Sequence, residues 1–182
     1  AFSGTFARVH QSGQTIYLEA SYFPVLDDKG QVTQIFKIAN DITAKQSQLL
    51  QQAAVATALD KSLAVITFSP DGTIISANAN FLHTMQVRLD EIGQQHHRIF
   101  CDAEFYQQQP DFWRKLAAGQ HQAGRFKRKD GNGNVVWLEA TYNPIYDEQG
   151  HVVQVVKFAA DITERVNAAL QAVDVAAATS EE

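Results

Sequence analysis

Cysteine is nearly absent: Cys101 is the only one in 182 residues. A disulfide within the chain is therefore excluded, and the usage suits a reducing compartment, the cytoplasm. Long apolar runs are missing as well. None approaches the roughly 20 residues that a membrane-spanning helix requires, and no charged-then-apolar leader opens the chain. Basic charge is in deficit, with 15 Lys and Arg against 20 Asp and Glu and a net charge of −5. The densest basic stretch is RFKRK, from Arg125 to Lys129. That balance argues against a nucleic-acid partner. There is no Gly-rich phosphate loop, no metal-ligand spacing and no recognisable nucleophile arrangement, so an enzyme is not expected. Cys101 sits beside Asp102 and lacks the cationic surroundings that make a thiolate reactive. An initiator Met is lacking too, and AFSGTF reads as the middle of a sequence, so a fragment of a longer protein is expected.

What is present is a repeat. Residues 4–43 align with 124–163 at a constant offset of 120 without a gap, and eighteen of the forty positions are identical. They include Phe6/Phe126, Arg8/Arg128, Tyr22/Tyr142, Pro24/Pro144, Lys37/Lys157 and the triplet Asp-Ile-Thr at 41–43 and 161–163. Such self-similarity marks a duplicated structural unit. Each copy reads as three antiparallel strands, in the second at about 122–130, 134–146 and 151–161, rich in Val, Phe, Trp and Tyr. DGNGN and DEQG punctuate them as hairpin turns, where Gly133 and Gly150 supply positive φ.

Between the copies, residues 43–62 contain neither Pro nor Gly and are rich in Ala, Gln and Leu, which predicts a helix. Thr43 with Gln46 fits a capping box. Ile42, Leu49, Ala56 and Leu63 recur every seventh residue, and Ile162, Val166, Ala169, Val173 and Ala176 alternate spacings of four and three. Each stripe is either a seam for a partner helix or a cover for its own domain. Residues 62–78 read as strand, turn and strand, and several short helices follow up to Gly119.

The order of elements, the phrase DGTIISANANF, the pair LDEIG, FW..L..G and the terminal DIT together resemble a PAS domain over residues 63–163. Residues 1–43 resemble the last three strands of another. HHRIFCD, FWRKL, GRFKRKDG, WLEATYNPIYD and VVKFAADIT are similar to the tandem PAS modules of soluble methyl-accepting chemotaxis transducers, including biofilm-dispersion regulators. The resemblance implies an α+β fold: a five-stranded antiparallel sheet with helices on one face, a partial second PAS sheet, a linker helix over 44–62 and an output helix over 164–182. It also implies that Asp41, Ile42, Thr43, Asp161, Ile162, Thr163 and Glu164 relay the signal, with Asp161 and Glu164 sharing helix-capping roles. Where the family usually has Gly-Tyr after the helix ending at Met85, this chain has Gln86-Val87, so a different backbone path is expected there.

The resemblance also directs attention to a cofactor. His96-His97 lies where heme-binding PAS domains take an axial ligand, and either residue is the metal ligand only if heme is bound. Phe81, Met85, Phe100 and Trp113 would supply an apolar pocket. FAD competes with heme b, but flavin relatives usually place Arg-His-Pro-Asp where this chain has Cys101-Asp102-Ala103-Glu104. Heme b is therefore placed ahead of FAD, and the absence of any cofactor stays open. Strand alternation puts Trp137, Glu139 and Thr141 on one face and Leu138, Ala140 and Tyr142 on the other, and the family implies that the second set faces the pocket. Lys157 interrupts an apolar strand. It could neutralise a ligand carboxylate or phosphate, but a DEQG hairpin that sets Lys157 opposite Glu139, and Lys37 opposite Glu19, favours a cross-strand ion pair.

The first copy has strands but no helices, so its apolar sheet face is expected to be covered by another chain, a swapped segment or residues preceding Ala1. The functional expectation is a cytoplasmic sensory module of a chemotaxis-type transducer. It would sense oxygen, redox state or a small ligand, form a homodimer through helices and sheet faces, and feed a downstream chemotaxis signalling domain. Two alternatives remain: a ligand-free dimerisation and relay module, and the sensor of a cyclase or kinase.

Overall fold

The computed structural model describes residues 1–179, with side chains described through residue 173. It divides into two compact units, 1–58 and 59–182. In the first, β1 (Phe2–Val9), β2 (Thr15–Leu26) and β3 (Val32–Asp41) form an antiparallel sheet in the order β1-β2-β3. On the face bearing Leu18, Ala20 and Tyr22, Phe6 packs edge-on against Tyr22 at 5.8 Å, and Ala20 is buried. Ile35 on that face is exposed, as are Phe36 and Ile38 on the other. Within the first unit these side chains stay exposed.

Helix α1 (Thr43–Ser62) follows and buries none of its residues. Of the seven-residue stripe, Leu49 and Ala56 are exposed and Ile42 and Leu63, at its two ends, are half-buried, while Leu50, Val55 and Leu59 beside it are exposed as well.

The second unit opens with β4 (Ala64–Phe68) and β5 (Ile74–Ala77). Four short helices follow: α2 (Ala79–Thr84), α3 (Leu89–Ile92), α4 (Ala103–Gln108) and α5 (Phe112–Ala117), with a 3-10 turn at His97–Phe100 between α3 and α4. Then come β6 (Gln122–Lys129), β7 (Val135–Tyr146) and β8 (Val152–Asp161), and finally α6 (Thr163–Thr179). The five strands pair antiparallel in the order β5-β4-β8-β7-β6. Residues 180–182 of the expected output helix lie outside the described residues, as does the side chain of Ala176.

The core lies between the inner sheet face and the helices. Ile66, Phe68, Leu138, Tyr142 and Val155 from the strands meet Phe81, Met85, Phe112 and Leu116 from the helices. Fully burying such a side chain contributes about 1.5–3 kcal/mol each. Asn78 ties α2 to β4: its amide oxygen accepts from Phe81 N and Val65 N, both at 2.9 Å.

Two local readings change. Glu139 pairs with Ala160, and Lys157 lies opposite Tyr142, three positions from the expected register. The hairpin turns later than DEQG indicates, around Asp147–His151, and a bulge between Ile145 and Tyr146 adds a further residue. An odd shift moves a side chain to the other face, so Lys157 points inward and the Glu139 ion pair is excluded. The first copy repeats this, with Lys37 opposite Tyr22 and Glu19 opposite Asn40. After Met85, Gln86 takes the left-handed conformation (φ +50°) that glycine favours, and Met85 O accepts from Gly131 N at 2.8 Å.

The turn before β5 needs glycine for two reasons. Gly72 has φ +94°, and a Cβ there would lie 2.5 Å from the Trp113 ring and 2.6 Å from His96 Nε2. Gly72→Ala is expected to lower stability by about 1–3 kcal/mol. In urea unfolding this appears as a lower midpoint at unchanged slope.

Candidate functional site

The first half of the site is an aromatic and cationic interior. The main-chain N–H of His97 donates to Gly72 O at 2.9 Å, which fixes the 3-10 turn against the β4–β5 turn. His97 is buried, and its ring stacks on Phe112 (centroids 6.0 Å, 11° between planes). Its Nδ1 lies 2.8 Å from the Tyr106 hydroxyl and its Nε2 lies 3.0 Å from that of Tyr142. Trp113 Nε1 donates to the Tyr106 hydroxyl at 3.0 Å, and an Arg128 NH2 group donates to that of Tyr142 at 3.4 Å. Trp113, Tyr106, His97, Tyr142 and Arg128 thus bring five hydrogens to four hydrogen bonds. Whichever tautomer His97 takes, one tyrosine hydrogen is left over.

Two more cations share this interior. Arg128 is 2% exposed and stacks over the rings of Phe105 (4.3 Å) and Phe126 (4.9 Å). Its Nε has no hydrogen-bond partner. Lys157 is also 2% exposed, and its ammonium lies over the rings of Tyr142 (5.0 Å) and Phe81 (5.9 Å). Burial, and then the Arg128 charge, hold the Lys157 ammonium well below its ordinary pKa. Burial, then Arg128 and Lys157, do the same to His97. Burial pushes the Cys101 thiol up and the Tyr142 hydroxyl up to about 12.

The expected pocket residues Phe81, Met85, Phe100, Trp113, Leu138, Ala140 and Tyr142 all lie in this one core, with His97 among them. His96 lies at its rim. Its Nε2 donates to Asp71 O at 2.8 Å and its Nδ1 accepts from Arg98 N at 3.1 Å, so it caps the 3-10 turn. Neither imidazole therefore has a free nitrogen for iron. Phe68, Phe112, Trp113 and Tyr142 surround His97 with ring centroids 5.4–6.0 Å from its own, so a macrocycle or flavin ring beside it would have to displace them. Heme and FAD do not fit this packing. Asp102, the residue weighed against flavin, is held by Lys129 at 2.7 Å and Lys127 at 3.6 Å. Among the described residues no group of three His, Cys, Asp or Glu is placed to hold a metal ion. The sequence reading missed Arg128, Tyr106, Phe68 and Phe112. For Arg128 the signal was its identity with Arg8 across the repeat.

The second half is the junction of sheet and helix. The Asp161 carboxylate accepts from Thr163 N (2.9 Å) and Oγ1 (2.6 Å), and Thr163 Oγ1 accepts from Trp137 N at 3.0 Å. Ile162 N donates to Trp137 O at 2.8 Å, and Ile162 is buried. Asp41, Ile42 and Thr43 repeat the arrangement around Tyr17, with Tyr17 N to Thr43 Oγ1 and Ile42 N to Tyr17 O both at 2.9 Å. Thr43 therefore clasps the strand instead of forming a capping box with Gln46, whose N–H donates to Ile42 O. Glu164 is exposed on the first turn, and Asp161 alone takes the Thr163 amide. On the outer face, where Trp137 is half-buried, Glu139 bridges Arg125 at 3.2 Å and Arg165 at 3.3 Å.

This sheet order, the helices on one face and the duplicated exit clasp define a sensory α+β domain. The chain belongs to the PAS family: the PAS fold matches residues 59–167, more than half its length, and a PAS domain matches residues 1–44. Among curated proteins it is similar to the biofilm dispersion protein BdlA of Pseudomonas aeruginosa, 41% identical over 91% of this chain. It also resembles the bacterioopsin transcriptional activator of Halobacterium salinarum, 26% identical over 71% of this chain. It spans 40% and 19% of those two proteins. Solved structures with the same fold include an RNA-binding light-oxygen-voltage receptor, with TM-score 0.57 and 19% identity over 90% of this chain and 44% of that one. Another is the PAS domain of a Colwellia psychrerythraea protein, with TM-score 0.53 and 19% identity over 64% of this chain and 98% of that one. Among the described residues no helix is long and apolar enough to cross a membrane.

Stability should follow pH in a way set by the buried bases. A base with a lowered folded pKa destabilises the fold once the unfolded chain is protonated and the folded chain is not. For His97 that loss sets in as pH falls below 6.5, and for Lys157 as pH falls below 10.5. The urea midpoint should therefore rise from pH 5 to 7 and again from 7 to 9.5, before ionisation of tyrosines in the unfolded chain opposes it. In Lys157→Met the second rise should vanish and the first remain.

Proposed function

We propose that this segment is the cytoplasmic sensory part of a methyl-accepting chemotaxis transducer, in which a small ligand biases the packing of the complete PAS domain. Helix α6 passes that bias to an output domain as a population shift. The observation that carries the reading is the Asp-Ile-Thr clasp. One strand residue, Trp137, donates its main-chain N–H to the Thr163 side chain and accepts at its carbonyl from Ile162 N, both at the start of the exit helix. Any change in β7 that reaches Trp137 therefore reaches the helix. Asp161, Ile162 and Thr163 act as the relay, and Asp41, Ile42 and Thr43 do the same for α1. The exposed apolar residues on α1, with Leu170 and Val173 on α6, supply seams for helix pairing in a homodimer. Resemblance to chemotaxis transducers favours that output over a cyclase or kinase.

A ligand-free relay module is the second reading, and the filled interior favours it. The two are separated by native mass spectrometry of freshly purified protein together with amide hydrogen exchange. A bound small molecule whose removal changes exchange at Trp137 and the first turn of α6 supports the sensor. No bound molecule and no ligand-dependent exchange supports the relay alone. In either case Thr163→Val should raise Trp137 amide exchange roughly fivefold, corresponding to one lost hydrogen bond of about 1 kcal/mol.

A further inference from the structure

The interior contains more basic groups and hydrogen-bond donors than acceptors to receive them. His97, Arg128 and Lys157 are the buried polar or charged residues of the described chain, and no carboxylate accompanies them. Buried charges are ordinarily paired, since an unpaired one bears the whole cost of leaving water. The interior groups that could serve as counter-anions are neutral near pH 7, because burial raises both the Cys101 thiol and the Tyr142 hydroxyl. The nearby acid Asp102 is already committed to Lys127 and Lys129 on the surface. Arg128 NH1 donates to Lys127 O at 2.8 Å, but Nε is unpartnered, NH2 reaches Tyr142 only at 3.4 Å, and a tyrosine hydrogen is surplus.

The same constellation occurs twice. Arg8, Tyr22 and Lys37 occupy the repeat positions of Arg128, Tyr142 and Lys157. Arg8 lies over the Phe6 ring at 5.0 Å, and Lys37 over the Tyr22 ring at 5.3 Å. In the first copy Arg8 and Lys37 are exposed, so the placement of two cations around one tyrosine recurs and their burial does not. On the surface side, a depression at the β6 edge reaches Arg128 and is lined also by Phe105, Phe126, Lys127 and the acids Asp102 and Glu104.

We infer that Arg128, Lys157 and Tyr142 form a site for a small organic monocarboxylate. Arg128 donates Nε–H and NH2 to the carboxylate in the two-pronged geometry that guanidinium favours, and Lys157 takes up a proton from solvent as the anion enters and so supplies the second positive charge. The Tyr142 hydroxyl turns its hydrogen toward the anion while still accepting from His97. The rings of Phe81, Phe105 and Phe126 take the short apolar tail. This inference deepens the proposed sensory reading by naming its ligand class.

The test uses acetate and propionate as probes, with sodium chloride at equal concentration as control. The expected result is a saturable rise in melting temperature with either carboxylate and none with chloride. Carbon-13 NMR of labelled acetate should show exchange broadening that propionate competes away. Lys157→Met should raise the ligand-free melting temperature by removing a base that the unfolded chain protonates more readily than the folded one, and should weaken acetate binding by at least about tenfold. Arg128→Lys, which keeps the charge but loses the fork, should also weaken it. A Lys157→Met protein that is destabilised yet binds acetate as the wild type does would overturn the inference. So would equal shifts with chloride and carboxylates. If another kind of molecule co-purifies and alters exchange at α6 while carboxylates do nothing, the carboxylate site fails and the sensor reading stands. If nothing binds and α6 exchange never responds, both fail.

Discussion

The register of β7 against β8 governs the rest of this domain. Tyr142 opposite Lys157 and Leu138 opposite Asp161 are consequences of a single pairing, set by the Asp147 turn and the bulge after Ile145. A slip of one residue would turn Leu138, Ala140 and Tyr142 outward and Trp137, Glu139 and Thr141 inward. It would also detach Trp137 from Thr163. Core, polar interior and exit clasp are thus fixed together, and none can be altered by strand slippage without loss of the others.

Much of this was legible because alternation and duplication are properties of the sequence itself. The phase of Leu138, Ala140 and Tyr142 follows from period two, and the strands from their Val-rich runs between glycine turns. The repeat located both Asp-Ile-Thr triplets. What escaped was absolute register, because period two fixes which residues share a face but not which residue they oppose. Lys157 was therefore assigned to Glu139, and its place beside Tyr142 was missed. Thr43 and Gln46 match a capping-box pattern, yet Thr43 Oγ1 is taken by Tyr17 N, twenty-six positions earlier. Local patterns do not register partners brought in by the fold. The recurrence of Arg8, Tyr22 and Lys37 as Arg128, Tyr142 and Lys157 was visible, but which face they occupy depended on the register.

The histidine pair shows a different limit. A sequence places two imidazoles in a short helical stretch but does not say which of their nitrogens remain free. Here all four are engaged, two by tyrosine hydroxyls and two by the main chain. His97 organises Tyr106 and Tyr142, and His96 caps the turn that carries it. Burial holds the His97 pKa well below its ordinary value, so this imidazole works as a neutral member of a polar network.

The fork of Arg125, Glu139 and Arg165 gives the exit helix a second tie to the sheet, of a different physical kind from the clasp. All three side chains are at least half exposed, so their attraction is screened by dissolved electrolyte over a Debye length of about 8 Å at physiological concentration. The hydrogen bonds at Trp137 are short-range and far less sensitive to such screening. One attachment of α6 therefore weakens as ionic strength rises while the other holds, so the two ties of the helix to the sheet differ in their dependence on salt.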